Sequence, residues 1–303
     1  MPVATVSVVI PALNEADNLP YVLPRIPRSV DEVILVDGHS TDGTVELARR
    51  ILPSIRVVEQ EGRGKGAALR TGFAVARGDI VVALDADGST DPSEIPAFVG
   101  ALLAGADYAK GTRFIQGAGT TDMPFIRRLG NKALVTLANV LFRMHFSDIT
   151  YGYNAVWRKH QDALALEIDG WAHEIVGNIR AVRSGLRVVE VASFETPRIA
   201  GEAKLQAFSA GWTILRAILS ERLRPATPAV GSSRPAWLAT EAPLRLQQSA
   251  WLAFPIGGKD GPSSSLPDRP LWGYGDLEET GVRAGALAFD AEIGNAIPVE
   301  ASA

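Results

Sequence analysis

Short apolar runs alternate with longer helical segments over the first third of the chain, and this alternation is the feature that most constrains the fold. The apolar runs, which are typical of strands, cover residues 6–10, 32–36, 55–58, 79–84 and 107–110. The helical segments between them cover residues 17–26, 42–51, 66–76 and 93–103. Repeated strand–helix units of this length form a mostly parallel sheet with helices on both faces. We therefore predict an α/β fold of that kind.

The rest of the chain divides into a continuation of this domain and a tail. Further helices are predicted at residues 125–142, near 171–184 and at 204–223, with strands at 153–157 and 187–194. No linker rich in Pro, Gly or Ser interrupts this part, so we predict one domain over residues 1–224, with halves at 1–112 and 113–224. Residues 225–303 are rich in Pro, Ala, Gly and Ser and show no sustained period, which predicts an irregular, low-complexity and partly disordered tail.

Composition excludes several classes of function. The chain has 303 residues, a formal net charge of −4 and no cysteine. The acidic balance argues against nucleic acid as a partner, and the lack of cysteine excludes disulfides, a thiolate nucleophile and cysteine-type zinc sites. The N-terminus lacks the pattern of a secretory signal, and no segment offers the roughly 20 apolar residues of a spanning helix. We expect a cytoplasmic location, with peripheral membrane contact as the open question.

Two carboxylates follow the apolar run that ends at residue 84, in the motif Asp85-Ala86-Asp87. Open α/β sheets bind their ligands at the carboxyl ends of the strands, which is where this turn lies. With this spacing both carboxylates can reach one hard divalent cation, whose other ligands are water and the oxygens of a diphosphate. The alternative is a solvated acidic turn in which Ser89 or Asp91 caps the next helix. The spacing alone does not decide between them.

Other strand ends carry polar or glycine-rich loops that should share the same edge. Asn14 and Glu15 follow the first strand, Asp37 ends the second, and a glycine-rich loop at 62–66 follows the third. Each of these alone is a helix cap or a turn. Because parallel strands end on one side of a sheet, we expect these loops to converge with the acidic turn.

Taken together, these motifs resemble the nucleotide-sugar half of family 2 glycosyltransferases, whose Rossmann-like fold is called GT-A. The motifs that follow occur in the order seen in dolichyl-phosphate mannose synthases and related polyprenyl-phosphate glycosyltransferases. They are Gly64-Lys65-Gly66, Gly111-Thr112-Arg113-Phe114, Arg127-Arg128, the segment 148–153 and the segment 198–204. The resemblance covers about residues 5 to 220. It implies that 1–112 is the nucleotide-sugar half and 113–224 the acceptor half.

The resemblance also implies roles for individual residues. The nucleoside and the rest of the donor would be held by Pro11, Glu15, Val36, Asp37, Lys65, Asp85, Ala86, Asp87, Arg198 and Lys204. Mg²⁺ or Mn²⁺ would be bound by Asp85 and Asp87, with Ser89 as a further metal-binding side chain. Catalysis would involve Asp87, Asp148, Arg113 and Arg128, the two arginines facing the acceptor phosphate, with Arg127 as the alternative to Arg128. For Asp148, an ion pair that holds Arg113 or Arg128 in place is as good an explanation as direct catalysis.

The implied function is that of a metal-dependent, inverting glycosyltransferase. It would move a hexose from a nucleotide diphosphate sugar, either GDP-mannose or UDP-glucose, to polyprenyl phosphate. Two departures leave the nucleotide open. Leu13 stands where many relatives have tyrosine, and Asp37-Gly38 stands where many have paired aspartates.

Three other functions remain as alternatives. A family 2 transferase that acts on a glycan or small-molecule hydroxyl needs a carboxylate base, such as Asp148 or Glu174. A sugar-nucleotide nucleotidyltransferase needs a glycine-rich, arginine-containing loop after the first strand, which this chain lacks. A non-enzymatic nucleotide-binding or scaffold protein is favoured only if the carboxylate pair binds no metal.

Two apolar stripes bear on membrane contact. The first, residues 133–142, is too short to cross a bilayer and has basic flanks at Arg127, Arg128, Lys132 and Arg143. The second consists of Leu205, Phe208, Trp212, Leu215 and Leu219. Basic flanks suit a segment that lies against anionic headgroups, whereas burial against the core is the usual fate of such faces. Both alternatives stay open.

Overall fold

The structure, a computed structural model, describes residues 4–164, 167–170, 172–202 and 207–225, and the side chains of 207–209 are not considered. The predicted tail therefore lies outside the described residues, apart from its first residue. The described part contains nine strands and eight α-helices. The last helix ends at Leu223, two residues before the described part of the chain ends.

A seven-stranded sheet forms the centre of the domain. Its strands are β1 (Val6–Ala12), β2 (Glu32–Asp37), β3 (Arg56–Glu59), β4 (Ile80–Ala83), β5 (Tyr108–Thr112), β7 (Asn154–Trp157) and β8 (Val188–Ala192). Their order across the sheet is β3-β2-β1-β4-β7-β5-β8. All neighbours are parallel except β7, which runs antiparallel to β4 and to β5. The predicted mostly parallel sheet is confirmed. A second, parallel pair joins β6 (Gly119–Thr120) and β9 (Phe194–Glu195).

Helices cover both faces of the large sheet, as predicted. They are α1 (Leu19–Val22), α2 (Thr44–Ile51), α3 (Lys65–Val75), α4 (Ile95–Leu103), α5 (Phe125–Phe142), α6 (Gln161–Leu164), α7 (His173–Arg183) and α8 (Ala207–Leu223). Successive side chains of a strand point to opposite faces, so Val8 joins the core on one face and Val9 the core on the other. A third core lies among α5, α7 and α8, around Val135, Ile179 and Ile218.

Prolines account for two differences from the predicted elements. The first strand does not stop at Pro11 but runs to Ala12, paired with β2. Proline is tolerated there because the pairing of β1 with β4 ends at Val9, so no ladder bond to β4 is lost at residue 11. The helix predicted at 17–26 is instead the short α1 followed by a 3-10 turn, Leu23–Arg25. Pro24 lacks the N–H that a continuing α-helix requires at that point.

The reversed strand β7 brings two distant parts of the chain to one edge. The parallel strands β1, β2, β4 and β5 all end at this edge, whereas β7 begins there because it runs the other way. Residues just before β7 therefore lie beside residues just after β4. The register confirms it, since Asn154 pairs with Ala83.

Candidate active site

A cavity of about 650 Å³ lies at the carboxyl edge of the sheet and receives residues from both predicted halves. Most of the predicted site residues line it. They are Pro11, Glu15, Lys65, Asp85, Ala86, Asp87, Ser89, Arg113, Arg198 and the alternative Arg127. The convergence expected from the strand ends is therefore present in the structure.

Four predicted residues lie elsewhere among the described residues. Val36 is in the core, and the carboxylate of Asp37 accepts bonds from the backbone N–H of Ser40 at 3.3 and 3.2 Å. Asp148 is fully buried behind the cavity wall, and Arg128 is on the exposed side of α5. Lys204 falls outside the described residues. The roles predicted for these five residues, like the roles of those that line the cavity, stay predictions.

Lys65 lies between two carboxylates at the centre of the cavity wall. Its Nζ is 2.7 Å from Oδ1 of Asp85 and 2.9 Å from Oε1 of Glu174. Burial alone would lower the pKa of Lys65, but the two carboxylates raise it above its usual value. Burial raises the pKa of Asp85 to about 6, and the charges of Asp87 and Glu174 add to this effect while Lys65 opposes it. Lys65 is therefore a permanent cation beside a carboxylate that is costly to ionise.

Asp87 is oriented by its own turn and by the segment that follows β9. Its Oδ1 accepts bonds from the backbone N–H of Ser89 at 3.0 Å and from the Ser89 hydroxyl at 2.7 Å. Its Oδ2 is 3.4 Å from Nη1 of Arg198, whose Nη2 also pairs with Glu15. The backbone N–H of Ile199 donates to the Asp87 carbonyl at 3.1 Å, which holds this segment across the acidic turn.

The acidic turn fits a hard divalent cation. The side chains of Asp85 and Asp87 are 24% and 25% exposed, so both carboxylates reach the cavity. Asp91 caps the next helical turn by accepting from the Ser93 N–H at 2.8 Å, as the alternative of a solvated turn predicted, and this cap leaves both carboxylates of the pair available. Within the described residues no group of three or more His, Cys, Asp or Glu side chains could hold a metal on its own. Two carboxylates suit a cation that completes its shell with diphosphate oxygens and water.

Arg113 is a second buried cation between two acids. Its Nε and Nη2 donate to Asp148 at 2.7 and 3.1 Å, its Nη1 donates to both oxygens of Glu195 at 2.9 and 3.0 Å, and its Nη2 also donates to the Thr150 hydroxyl at 2.9 Å. Each nitrogen of the guanidinium thus donates to at least one protein acceptor. Burial alone would raise the pKa of Asp148, but Lys110 and Arg113 lower it to about 2. Asp148 forms the ion pair that was the alternative to a catalytic role.

The two arginines at the start of α5 differ in their placement. Arg127 is half-buried and lines the cavity, where its Nη1 lies 3.4 Å from the Asp122 carbonyl. Arg128 is exposed, with its guanidinium 5.9 Å from the centre of the Phe114 ring. Of the two alternatives for the acceptor phosphate, Arg127 is the one that borders the cavity.

Several lining residues escaped the sequence predictions. The side chains of His39, Gln60, Thr150 and Glu195 all border the cavity. Gln60 directly follows β3, so the strand-end argument that selected Asp37 could have found it. Glu195 belongs to a two-residue strand that breaks away from β8, and no pattern in the sequence announces that break. Glu174, named above as an alternative carboxylate base, is in α7 and lines the cavity.

Helix length bears on the membrane question. Among the helices of the described residues, none is both long and apolar enough to span a membrane.

Comparisons with known proteins agree with this geometry. Residues 7–161 match the family described as glycosyl transferase family 2. Polyprenol monophosphomannose synthase of Mycolicibacterium smegmatis is 34% identical over 211 residues, which are 65% of this chain and 80% of that protein. Dolichyl-phosphate hexose transferase of Haloferax volcanii is 35% identical over 226 residues, which are 72% of this chain and 96% of that protein.

Solved structures show the same fold. Glucosyl-3-phosphoglycerate synthase from Mycobacterium tuberculosis, in complex with Mn²⁺, UDP and glucosyl-3-phosphoglycerate, aligns with a TM-score of 0.56 and 27% identity. The alignment covers 73% of this chain and 81% of that one. The family match and the relatives together confirm the resemblance, the GT-A fold and the enzyme class. The chain belongs to glycosyltransferase family 2 and is a glycosyltransferase.

Proposed function

We propose that this glycosyltransferase moves a hexose from a nucleotide diphosphate sugar to polyprenyl phosphate, with Mg²⁺ or Mn²⁺ as cofactor. The observation that carries the proposal is that one cavity joins the Asp85–Asp87 turn to Arg127 on the acceptor side. The names of the two relatives from Mycolicibacterium and Haloferax support the acceptor. The Mn²⁺ and UDP of the mycobacterial synthase structure support the metal and the class of donor.

The donor side of the cavity suits a departing diphosphate. In the proposed reaction an oxygen of the acceptor phosphate bonds to the anomeric carbon, the bond from that carbon to the donor diphosphate breaks, and the nucleoside diphosphate leaves. A divalent cation bound by Asp85 and Asp87 supplies Lewis-acid stabilisation of the charge that the leaving group gains. Arg198, already 3.4 Å from Asp87, adds a fixed positive charge at the same place.

The acceptor side favours an anion over a neutral hydroxyl. A phosphate is already a nucleophilic anion, so it needs no general base, whereas a hydroxyl does. The two candidate bases are both committed to cations. Asp148 pairs with Arg113, and Glu174 pairs with Lys65 at 2.9 Å. Burial alone would raise the pKa of Glu174, but Lys65 and His173 lower it, which makes Glu174 a weak base like Asp148.

We further propose that the start of α5 contacts the membrane that holds the acceptor, in a protein located in the cytoplasm. Phe125, Ile126 and Leu129 are 60–78% exposed and stand beside Arg127 and Arg128. The predicted stripe at 133–142 packs largely onto the third core, with Val140 left exposed. In the second stripe Trp212 and Leu219 are exposed, while Leu205 and Phe208 fall outside the described side chains.

Membrane contact is tested by sedimentation with vesicles of anionic and neutral lipid. We expect binding to the anionic vesicles that the double variant Phe125→Ser/Ile126→Ser reduces. Equal sedimentation of the variant and the wild-type chain would contradict the contact without touching the transfer reaction.

The transfer reaction is tested by measuring turnover of GDP-mannose and UDP-glucose with polyprenyl phosphate, with and without Mn²⁺ or Mg²⁺. We expect turnover that requires the metal and that Asp87→Ala removes. Asp122→Ala is the matched control, because Asp122 also borders the cavity but is remote in sequence from the acidic turn. Metal-independent turnover, or transfer to a sugar hydroxyl only, would contradict the proposal.

A further inference from the structure

Glu174 has no role in the proposed reaction, yet it is nearly buried and is paired with Lys65 on the cavity wall. It is in the first turn of α7, its side chain is 11% exposed, and its Oε1 accepts a bond from Lys65. The same ammonium contacts Oδ1 of Asp85. Lys65 thus connects Glu174 to the first carboxylate of the acidic turn.

Gly152 leaves just enough room for this contact. A Cβ built on Gly152 would lie 2.4 Å from Oε1 of Glu174 and 2.6 Å from Nζ of Lys65. Both distances are far shorter than any ordinary contact of a Cβ atom. The two side chains therefore meet over the bare backbone of residue 152, just before β7.

The backbone at the start of α3 is also fixed against the chain that enters α7. The Gly66 N–H donates to the Asp169 carbonyl at 3.0 Å, and a Cβ on Gly66 would lie 1.9 Å from the carbonyl oxygen of Ile168. Lys65 is the first residue of α3, and Glu174 is five residues after Asp169. The separation of Lys65 and Glu174 is thereby set by packed backbone and does not depend on side-chain reach alone.

We propose that Glu174 is a positioning residue, which acts through Lys65 to hold the Asp85 carboxylate in the orientation that receives the divalent cation. The inference rests on the proposed function, because it assumes that Asp85 binds the metal. With Lys65 on Oδ1, the second oxygen of Asp85 is left for the cation. With Glu174 sharing the ammonium, the charge of Lys65 is divided between two carboxylates.

This sharing predicts that removing the Glu174 charge weakens metal binding. Without the Glu174 charge, Asp85 keeps the Lys65 ammonium without Glu174 competing for it, and an incoming cation must compete with a stronger ion pair. Charge-assisted hydrogen bonds are the strong ones, so we expect Glu174→Gln to weaken Mn²⁺ binding about tenfold. The probe is Mn²⁺ with UDP or GDP, whichever the wild-type chain binds, followed by the paramagnetic resonance signal of free Mn²⁺ and by calorimetry.

A second variant displaces the pair without removing any charge. Gly152→Ala places a methyl group against the flexible ends of Glu174 and Lys65, which can move aside while the backbone stays. We expect an unchanged melting temperature and Mn²⁺ binding weakened about fivefold. The matched control is Gly100→Ala, since a Cβ on Gly100 meets nothing within 4 Å. If Gly152→Ala does not fold, Glu174→Asp takes its place, because it keeps the charge and withdraws it from Lys65.

The double variant Gly152→Ala/Glu174→Gln tests whether both changes act through the same Lys65 contact. If Glu174 acts through Lys65, Gly152→Ala should weaken Mn²⁺ binding less than about twofold once Glu174→Gln is present. Full additivity would overturn the inference, as would unchanged Mn²⁺ binding in Glu174→Gln. If either of these results is found while Asp87→Ala loses Mn²⁺ binding, the inference fails but the proposed function stands. A wild-type chain that binds no Mn²⁺ with either nucleotide would overturn both.

Discussion

Two buried cations of this protein have similar surroundings but differ in how far their acids reach the cavity. Lys65 lies between Asp85 and Glu174, and Arg113 lies between Asp148 and Glu195. The Arg113 side chain is 2% exposed and its partner Asp148 is fully buried, whereas Asp85 is 24% exposed on the cavity wall. We call the Lys65 cluster the open cage, because its acid Asp85 reaches the cavity. We call the Arg113 cluster the closed cage, because its acid Asp148 does not reach the cavity, although Arg113 and Glu195 border it.

The two cages differ in the direction in which the pKa of their carboxylates is shifted. Burial raises the pKa of Asp85 to about 6 even with Lys65 beside it, whereas Lys110 and Arg113 overcome burial and lower the pKa of Asp148 to about 2. An ionised Asp85 therefore has unfavourable charge that an added cation can relieve, and Asp148 has none to relieve. We therefore propose that the open cage serves ligand binding and that the closed cage supports the fold.

The largest expected effect is on the free energy of unfolding, which should fall more when the cation of the closed cage is removed than when the cation of the open cage is removed. Arg113→Met leaves Asp148 charged in a fully buried place, and breaking such a pair costs about 3–5 kcal/mol. Lys65→Met should cost less, because Asp85 and Glu174 border the cavity and can be hydrated. Unfolding in guanidinium chloride measures both. An equal loss in the two variants would show that the open cage is as structural as the closed one.

The acids of the two cages should respond to neutralisation with opposite signs. At pH 7 Asp148→Asn should lower the free energy of unfolding by about 2 kcal/mol, since it removes a paired charge. Asp85→Asn should raise the free energy of unfolding of the ligand-free chain by about 1 kcal/mol, because the charge it removes is destabilising there. Loss of stability in both variants would contradict the comparison.

The pH dependence of these differences sharpens the test. Asp148 has a folded pKa of about 2, below its ordinary 3.8, so its contribution is present above about pH 4 and is lost as the pH falls through 2. Asp85 has a folded pKa of about 6, above its ordinary 3.8, so its penalty is present above pH 6 and disappears as the pH falls towards 4. The gain of Asp85→Asn over the wild-type chain should shrink across that second window in chemical-denaturation curves.

A smaller effect is expected at the arginines of α5. Each nitrogen of the Arg113 side chain already donates to a protein acceptor, so the acceptor phosphate should depend on Arg127, which borders the cavity. Arg127→Ala should raise the acceptor KM about tenfold, as expected for a lost charge-assisted bond, and leave donor binding unchanged. Arg128→Ala is the matched control on the exposed side and should change the acceptor KM much less. The reverse order would return Arg128 to the role first predicted for it.

The smallest effect is expected from removing residues 226–303. Both cages are built from residues before 200, and Arg183 of α7 donates to the carbonyls of Arg224 and Pro225, which anchors the chain just after α8. We propose that residues 1–224 form the catalytic domain, so the truncated chain should keep its turnover within about twofold. A truncated chain that folds but has lost turnover would contradict this boundary.

Sequence patterns predicted the edge of the sheet and most of what lies on it. Hydrophobic runs located the strands, and a parallel sheet brings strand ends together, so Glu15, Lys65, Asp85 and Asp87 could be assigned to one site. Pairs formed across the fold could not be assigned in this way. Lys65 and Glu174 are 109 residues apart, and Arg113 and Glu195 are 82 apart. Only the packing of α3 against the entry to α7 and the break between β8 and β9 bring them together.

The reversed strand β7 also has a consequence for how such enzymes diversify. The chain leaves the sheet after β5 and returns at β7, and these two strands are hydrogen-bonded neighbours, with the Gly111 N–H donating to the Tyr153 carbonyl at 2.8 Å. The segment between β5 and β7 therefore begins and ends at the same place in the sheet. We expect insertions and deletions within it, away from Gly152, to leave the register of the seven-stranded sheet unchanged. On this basis relatives should differ in length more between β5 and β7 than in the strands that carry the acidic turn.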